Sequence, residues 1–428
     1  MSNSIFIQAR SLGHGDNNVR YVAVFGSSNN PTVTGEQEAP IRQAGIFSNL
    51  FVYSPTNTAS VNSTVTLQKS QVDTALLVTY GADQTGIKEN TSDTVSFAAT
   101  DEAQWEVTVP NEAGSNTLTI NLIKVEFAPD TAGNSMVVLG GSGTTNYTTA
   151  SATRFINANG TIAPTSSETF MKWRARLAFA SSNLWTYVTS NARTTDTTFT
   201  TRKNGAAGGQ ITTYTSGQTG AKEDTSGTDS IAVGDDFDYA ITTLAGTEQI
   251  TFNVCCSNLV NTGGLFPLVV GSSAGAGVAA GVTTYYAVGG GTATTSTIEA
   301  DYQMYPRFTF TAQELGVMVS AFAGSTGSAT ITLRDNGAGS GISVNYTVGQ
   351  TGLKNDSVNT SEITSGTDEI DYEINNGANG TITITWMSIL GATVAPAGRT
   401  TKNTRDHAMN YMLHHSEGFG RRIGGARL

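Results

Sequence analysis

Four histidines, two cysteines and a few runs of carboxylates are the residues through which this chain could do chemistry, and their spacing limits what each can do. His407, His414 and His415 lie together near the C-terminus, where His407 and His414 would share one face of a helix. The polar face of a short helix explains them without a metal. A Ser-His-Asp site would have to recruit His14 or one of these three, yet the chain has no G-x-S-x-G elbow, HExxH pair or phosphate loop. Asp235-Asp236-Phe237-Asp238 and Asp368-Glu369-Ile370-Asp371 could offer oxygen ligands to Ca²⁺. Their alternation with Phe237 and Ile370 instead predicts strands whose acids face solvent beside an inward apolar residue. Cys255 and Cys256 are adjacent and would point to opposite faces of a strand, which excludes a disulfide framework and leaves two reduced strand residues. Trp105, Trp173 and Trp386 suit a core, whereas Trp185 and Tyr187 are candidate glycan contacts because exposed aromatics stack on sugar rings. No catalytic residue, cofactor or metal is expected, and the chain is not expected to be an enzyme.

These residues sit on a repeated framework. Tyr80-x3-Gln84-Thr85-Gly86-Ile87-Lys88 recurs as Tyr214-x3-Gln218-Thr219-Gly220-Ala221-Lys222 and as Tyr346-x3-Gln350-Thr351-Gly352-Leu353-Lys354. The flanks keep register: Leu50, Leu184 and Leu315 open apolar runs upstream, and Trp105, Tyr239 and Tyr372 follow downstream. Three tandem units are predicted, 1–129, 130–262 and 263–396. Gly86, Gly220 and Gly352 are expected to supply a turn that a Cβ disfavours. The Lys after each is expected to be a surface charge.

Within each unit the apolar period is two. Leu118, Ile120 and Leu122 alternate, as do Ile250, Phe252 and Val254, and Ile382, Ile384 and Trp386. Asn204-Gly205 and Asn336-Gly337 signal two-residue hairpins, because a type I′ turn needs positive φ at both central residues. The first unit has Gln68-Lys69-Ser70 there, so its hairpin is expected to be built differently. Short alternating strands with frequent turns predict an all-β chain of three tandem sandwich domains, with a jelly roll the leading topology.

Charged residues are only 13% of the 428, and Thr, Ser, Asn, Gln and Gly must cover the surface, as on extracellular or virion proteins. The net charge of −11 argues against nucleic-acid binding. No apolar run is long enough for a membrane helix, and the first residues lack the pattern of a signal peptide, which fits a virion component. Residues 397–428 differ: six Lys/Arg against two acids make them +4, leaving −15 for the rest. Ala408, Met409, Met412 and Leu413 form a helical stripe too short to fold alone, and Arg421, Arg422 and Arg427 follow in a Gly-rich end. This segment reads as an anchoring arm, with Met409, Met412, Leu413, Arg421, Arg422 and Arg427 as assembly residues.

The phrase R-[KD]-N-G, a strand, QTG-x-K, an acidic turn and a strand with D-Y resembles β-sandwich modules of tailed-bacteriophage structural proteins, including head-fibre, decoration and tail-fibre components. Residues 202–241 and 334–374 are the best copies and 68–107 the weakest. The resemblance implies a virion protein on the capsid exterior or in a fibre, partnered by its own copies as a homotrimer and by other virion proteins. A receptor-binding fibre that recognises a host surface glycan is the alternative.

Overall fold

Twenty-four principal strands, eight for each third of the chain, account for the alternating sequence patterns. The computed structural model describes residues 5–10, 13–15, 18–27, 33–110, 117–131, 135–158, 160–161, 164–291 and 296–393. The first third contains β1 (Ile5–Arg10), β2 (Asn18–Ala23), β3 (Gly45–Ser54), β4 (Ser63–Lys69), β5 (Val72–Tyr80), β6 (Gly86–Phe97), β7 (Glu102–Val109) and β8 (Leu122–Pro129). The second contains β9 (Ser135–Tyr147), β10 (Ala152–Ile156), β11 (Phe179–Asn191), β12 (Thr197–Lys203), β13 (Ala206–Tyr214), β14 (Gly220–Ile231), β15 (Asp236–Thr243) and β16 (Ile250–Asn261). The third contains β17 (Leu265–Val278), β18 (Val282–Tyr286), β19 (Phe310–Phe322), β20 (Ser328–Asp335), β21 (Ala338–Thr347), β22 (Gly352–Ile363), β23 (Ile370–Asn376) and β24 (Ile382–Thr393).

Each third repeats one topology. One sheet has the order β6-β3-β8-β1 and the other β2-β7-β4-β5; the orders β14-β11-β16-β9 with β10-β15-β12-β13, and β22-β19-β24-β17 with β18-β23-β20-β21, are the same. Eight strands arranged as 1-8-3-6 against 2-7-4-5 make a jelly roll. Among the described residues, no strand pairing joins one third to another. Rings from both sheets meet between the layers, as in Phe199 with Phe252 at 4.9 Å and Phe179 with Phe237 at 5.8 Å. Trp105, Trp173 and Trp386 are buried. Cys255 and Cys256 are buried and unbridged on β16.

The repeated Tyr-x3-Gln-Thr-Gly-x-Lys phrase is a lock between the two sheets. Tyr80 Oη shares its proton between the carbonyls of Val52 on β3, 2.9 Å away, and Gly86, 3.0 Å away. Tyr214 and Tyr346 do the same to Thr186 and Gly220, and to Val317 and Gly352. Gly86, Gly220 and Gly352 have φ of +87°, +87° and +91°, the conformation only glycine adopts cheaply. The Gln side chain closes the turn by accepting from the backbone N–H of Gly81, Thr215 or Thr347. Lys222 and Lys354, partly exposed at the surface, donate to the Thr213 and Asn345 carbonyls and to Gln218 and Gln350. They satisfy acceptors on an edge strand that no other strand covers.

Two expectations are corrected. The first hairpin is not built differently: Ser70 and Gln71 take φ of 46° and 66°, beside 52° and 81° at Asn204-Gly205. The same turn forms without its favoured residues. Nor do all the carboxylates face water. Asp235 and Asp368 bind the hairpin amides of Asn204 and Asn336, while Asp238 and Asp371 are fully buried. They lie on the outer face of their sheet, but Arg202 with Glu168, and Arg334 with Glu299, cross over that face.

Candidate assembly interface

The segments before β3, β11 and β19 reach from one sandwich onto the five-stranded sheet of the next. Strand register fixes which of their residues correspond. Ala39 faces Ala103, Trp173 faces Phe237 and Met304 faces Ile370, so Arg42, Arg176 and Arg307, each three residues on, are equivalent. On the receiving sheets Phe51 pairs with Glu89, Trp185 with Glu223 and Gly316 with Asn355.

From the first sandwich, Arg42 donates from Nε and Nη2 to the two oxygens of Glu223 on the second, at 2.7 and 2.6 Å. Its guanidinium lies 5.9 Å from the centre of the Trp185 ring. From the second, Trp173 Nε1 donates to Ser388 Oγ on the third at 3.3 Å, and Arg176 stands 3.9 Å from Glu314. From the third, Arg307 pairs with Glu89 of the first and donates its backbone N–H to Glu126 at 2.8 Å. Tyr53 donates to Asp301 at 2.6 Å across the same joint, and Lys124 donates to the Tyr305 carbonyl at 2.6 Å.

The three contacts are head-to-tail, and the third returns to the first sandwich. Such heterologous contacts generate a ring when the rotation closes. The short strands Gly26–Ser27, Gly160–Thr161 and Gly290–Gly291 add parallel edges to β1, β9 and β17, and all three approach one another. One chain thus holds three sandwiches in the relation that three subunits of a cyclic trimer have.

The joints share a plan and differ in filling. Ala39 stands where the second sandwich has Trp173 and the third Met304, and the receiving sheets bear Trp185, Gly316 and Phe51 in turn. The carboxylate also moves. Asn183 and Glu223 in the second sandwich become Glu314 and Asn355 in the third, the first of each pair sitting at a positive-φ bulge. Arg176 therefore lacks the fork that Arg42 makes, and its Nε and Nη2 are buried without hydrogen bonds.

The candidate glycan pair lies in this interface. Trp185 is 7% exposed beneath Arg42, and Tyr187 is half-buried, its hydroxyl raised by burial and then by Glu36 and Glu38 of the first sandwich. Met409, Met412, Leu413, Arg421, Arg422 and Arg427, with the tail histidines, fall outside the described residues. His14 is buried, and burial followed by Arg20 lowers it to about 3. Among the described residues no group of three or more His, Cys, Asp or Glu is placed to hold a metal, and no helix is long and apolar enough to cross a membrane. The joints could not have been read from spacing alone. Their one sequence signal was Arg42, Arg176 and Arg307, each nine residues before Phe51, Trp185 and Gly316.

No protein-family model matches the chain, and no curated protein matches it. Among solved structures it is similar to a chain of "The Triple Jelly Roll Fold and Turret Assembly in an Archaeal Virus", 12% identical over 90% of each chain, with a TM-score of 0.19. A chain of "Life in the extremes: atomic structure of Sulfolobus Turreted Icosahedral Virus" is 12% identical, covering 82% of this chain and 80% of that one, with a TM-score of 0.18. A Paenibacillus xanthan lyase is 15% identical over 68% of this chain and 30% of its own, with a TM-score of 0.19. At these scores the likenesses decide nothing about function, and the jelly-roll assignment rests on strand order.

Proposed function

We propose that this chain is a non-enzymatic structural protein of a virion, of the tailed-bacteriophage kind, on the capsid exterior as a decoration or head-fibre component or in a tail fibre. The observation that carries the reading is the closure of three repeated jelly rolls through contacts at equivalent positions. That arrangement spends its most specific side chains on joining sandwiches. Domains 1–129, 130–262 and 263–396 are the building blocks in this reading, and 397–428 is a basic arm that docks on an acidic neighbour. Further copies, as a homotrimer, and other virion proteins are the partners; the protein assembles in the host cytoplasm.

Mass spectrometry and immunogold labelling of purified particles test the location. The protein should be present in stoichiometric amount and accessible on the outside. Its absence from particles overturns the proposal. Deleting residues 399–428 should leave far-UV circular dichroism unchanged and abolish incorporation; normal occupancy would remove the arm from the reading.

A further inference from the structure

The joint from the third sandwich to the first contains a buried amine that assembly alone does not require. Lys124 on β8 is fully buried, and Glu126, two residues on and therefore on the same face, is 3% exposed. The register-equivalent residues in the other sandwiches are Cys256 with Asn258 and Ser388 with Leu390, so only this joint has the charged pair. Lys124 is opposite Phe51 and Glu126 opposite Ser48 on β3; Asn49 sits in the bulge between them, with φ of 54°. The Glu126 carboxyl gathers both neighbours, with Lys124 Nζ 3.6 Å from Oε1 and Asn49 Nδ2 2.8 Å from Oε2. The third sandwich completes the arrangement, because its Tyr305 carbonyl holds Nζ and its Arg307 N–H holds Oε1.

We propose that Lys124 and Asn49 are joined by an intramolecular isopeptide bond, with Glu126 carrying the protons. The neutral amine attacks the Asn49 side-chain carbonyl carbon, and the C=O electron pair moves onto the oxygen. The carboxylic acid form of Glu126 gives its proton to the leaving Nδ2, which Oε2 faces, and takes one from Nζ on Oε1. The C–Nδ2 bond breaks, the C=O re-forms and ammonia departs, so an amine and a primary amide become a secondary amide plus ammonia. No oxidant or further reactant enters.

The reaction needs a neutral lysine beside a protonated carboxyl, and the surroundings favour that pair. Burial lowers Lys124 to about 8, and burial raises Glu126, so their proton affinities converge. Phe51 forms an apolar wall, its ring centre 6.0 Å from Nζ. Docking of Tyr305 and Arg307 shields the reactants, so the bond forms only after the ring has closed.

Intact-mass spectrometry of the purified full-length chain, incubated at pH 8, tests this directly. The expected result is a mass lower by one ammonia than the sequence requires, with a branched tryptic peptide linking the segment containing Asn49 to that containing Lys124. Glu126→Gln and Lys124→Met should each restore the full mass. An unchanged wild-type mass overturns the proposal. So does a deficit that persists in Lys124→Met, which would instead mark cyclisation of an asparagine on its own backbone.

Discussion

Replacing Asp371 by Asn should stabilise the protein above neutral pH and leave it unchanged near pH 4. The Asp371 carboxyl is fully buried and neither oxygen has a hydrogen-bond partner. Burial, then Glu299, raises it from 3.8 to about 8, and Arg334 opposes them while engaged with Glu299 and Glu373. A carboxyl that keeps its proton to higher pH when folded contributes stability that is complete below the unfolded value. That contribution is lost as pH rises to the folded value. At about 1.4 kcal/mol per pH unit, the loss between pH 5 and 8 is at most about 4 kcal/mol. It is on the order of 2 kcal/mol with the effective dielectric that buried sites show. Asn keeps the shape without the charge. The register-equivalent residue of the first sandwich is already neutral: Gln104 donates to Thr34 and Gln68. Calorimetry at pH 4 and pH 8.5 is the assay, and about 2 kcal/mol corresponds to a Tm gain of several degrees for a domain of this size. Equal Tm shifts at both pH values, or a lower Tm at pH 8.5, would show that Asp371 does not bury an unpaired charge.

Asn355→Glu combined with Glu314→Asn recreates at the second joint the pairing of Glu223 and Asn183, and should raise Tm through a forked bond worth about 1 to 3 kcal/mol; adding Arg176→Met should cancel the gain. Tyr346→Phe strands the carbonyls of Val317 and Gly352, and chemical denaturation should show a loss of about 1 to 3 kcal/mol. Ser70→Asn places in the first hairpin the residue that left-handed backbone tolerates, within reach of Asp101 as Asn204 is of Asp235. It should add about 1 kcal/mol in the same assay.

The strands and their repetition were legible because they follow local rules: a period of two, Asn-Gly turns, and a phrase whose Tyr, Gln and Gly each have a fixed geometric task. The first hairpin misled because residue type is a preference, and the pairing of β4 with β5 imposes the turn on Ser70 and Gln71. Asp238 and Asp371 misled because alternation tells which face a side chain leaves from. It does not tell whether a later segment, here that of Glu168 or Glu299, will cover that face. The joints were hidden for the same reason. Trp185 looked like an exposed platform until Arg42, far away in sequence, was placed above it.

Small-angle scattering from the fraction whose mass is that of one 44.6 kDa chain tests ring closure most directly. Three sandwiches closed through their joints should give a radius of gyration of about 21 Å, the value for a compact body of this length, raised slightly by the C-terminal segment. Three sandwiches strung end to end would give roughly 30 Å, from about 14 Å for each and the added spacing between centres. A value near the larger figure, unchanged on dilution, would contradict the closed arrangement and with it the assembly role drawn from it.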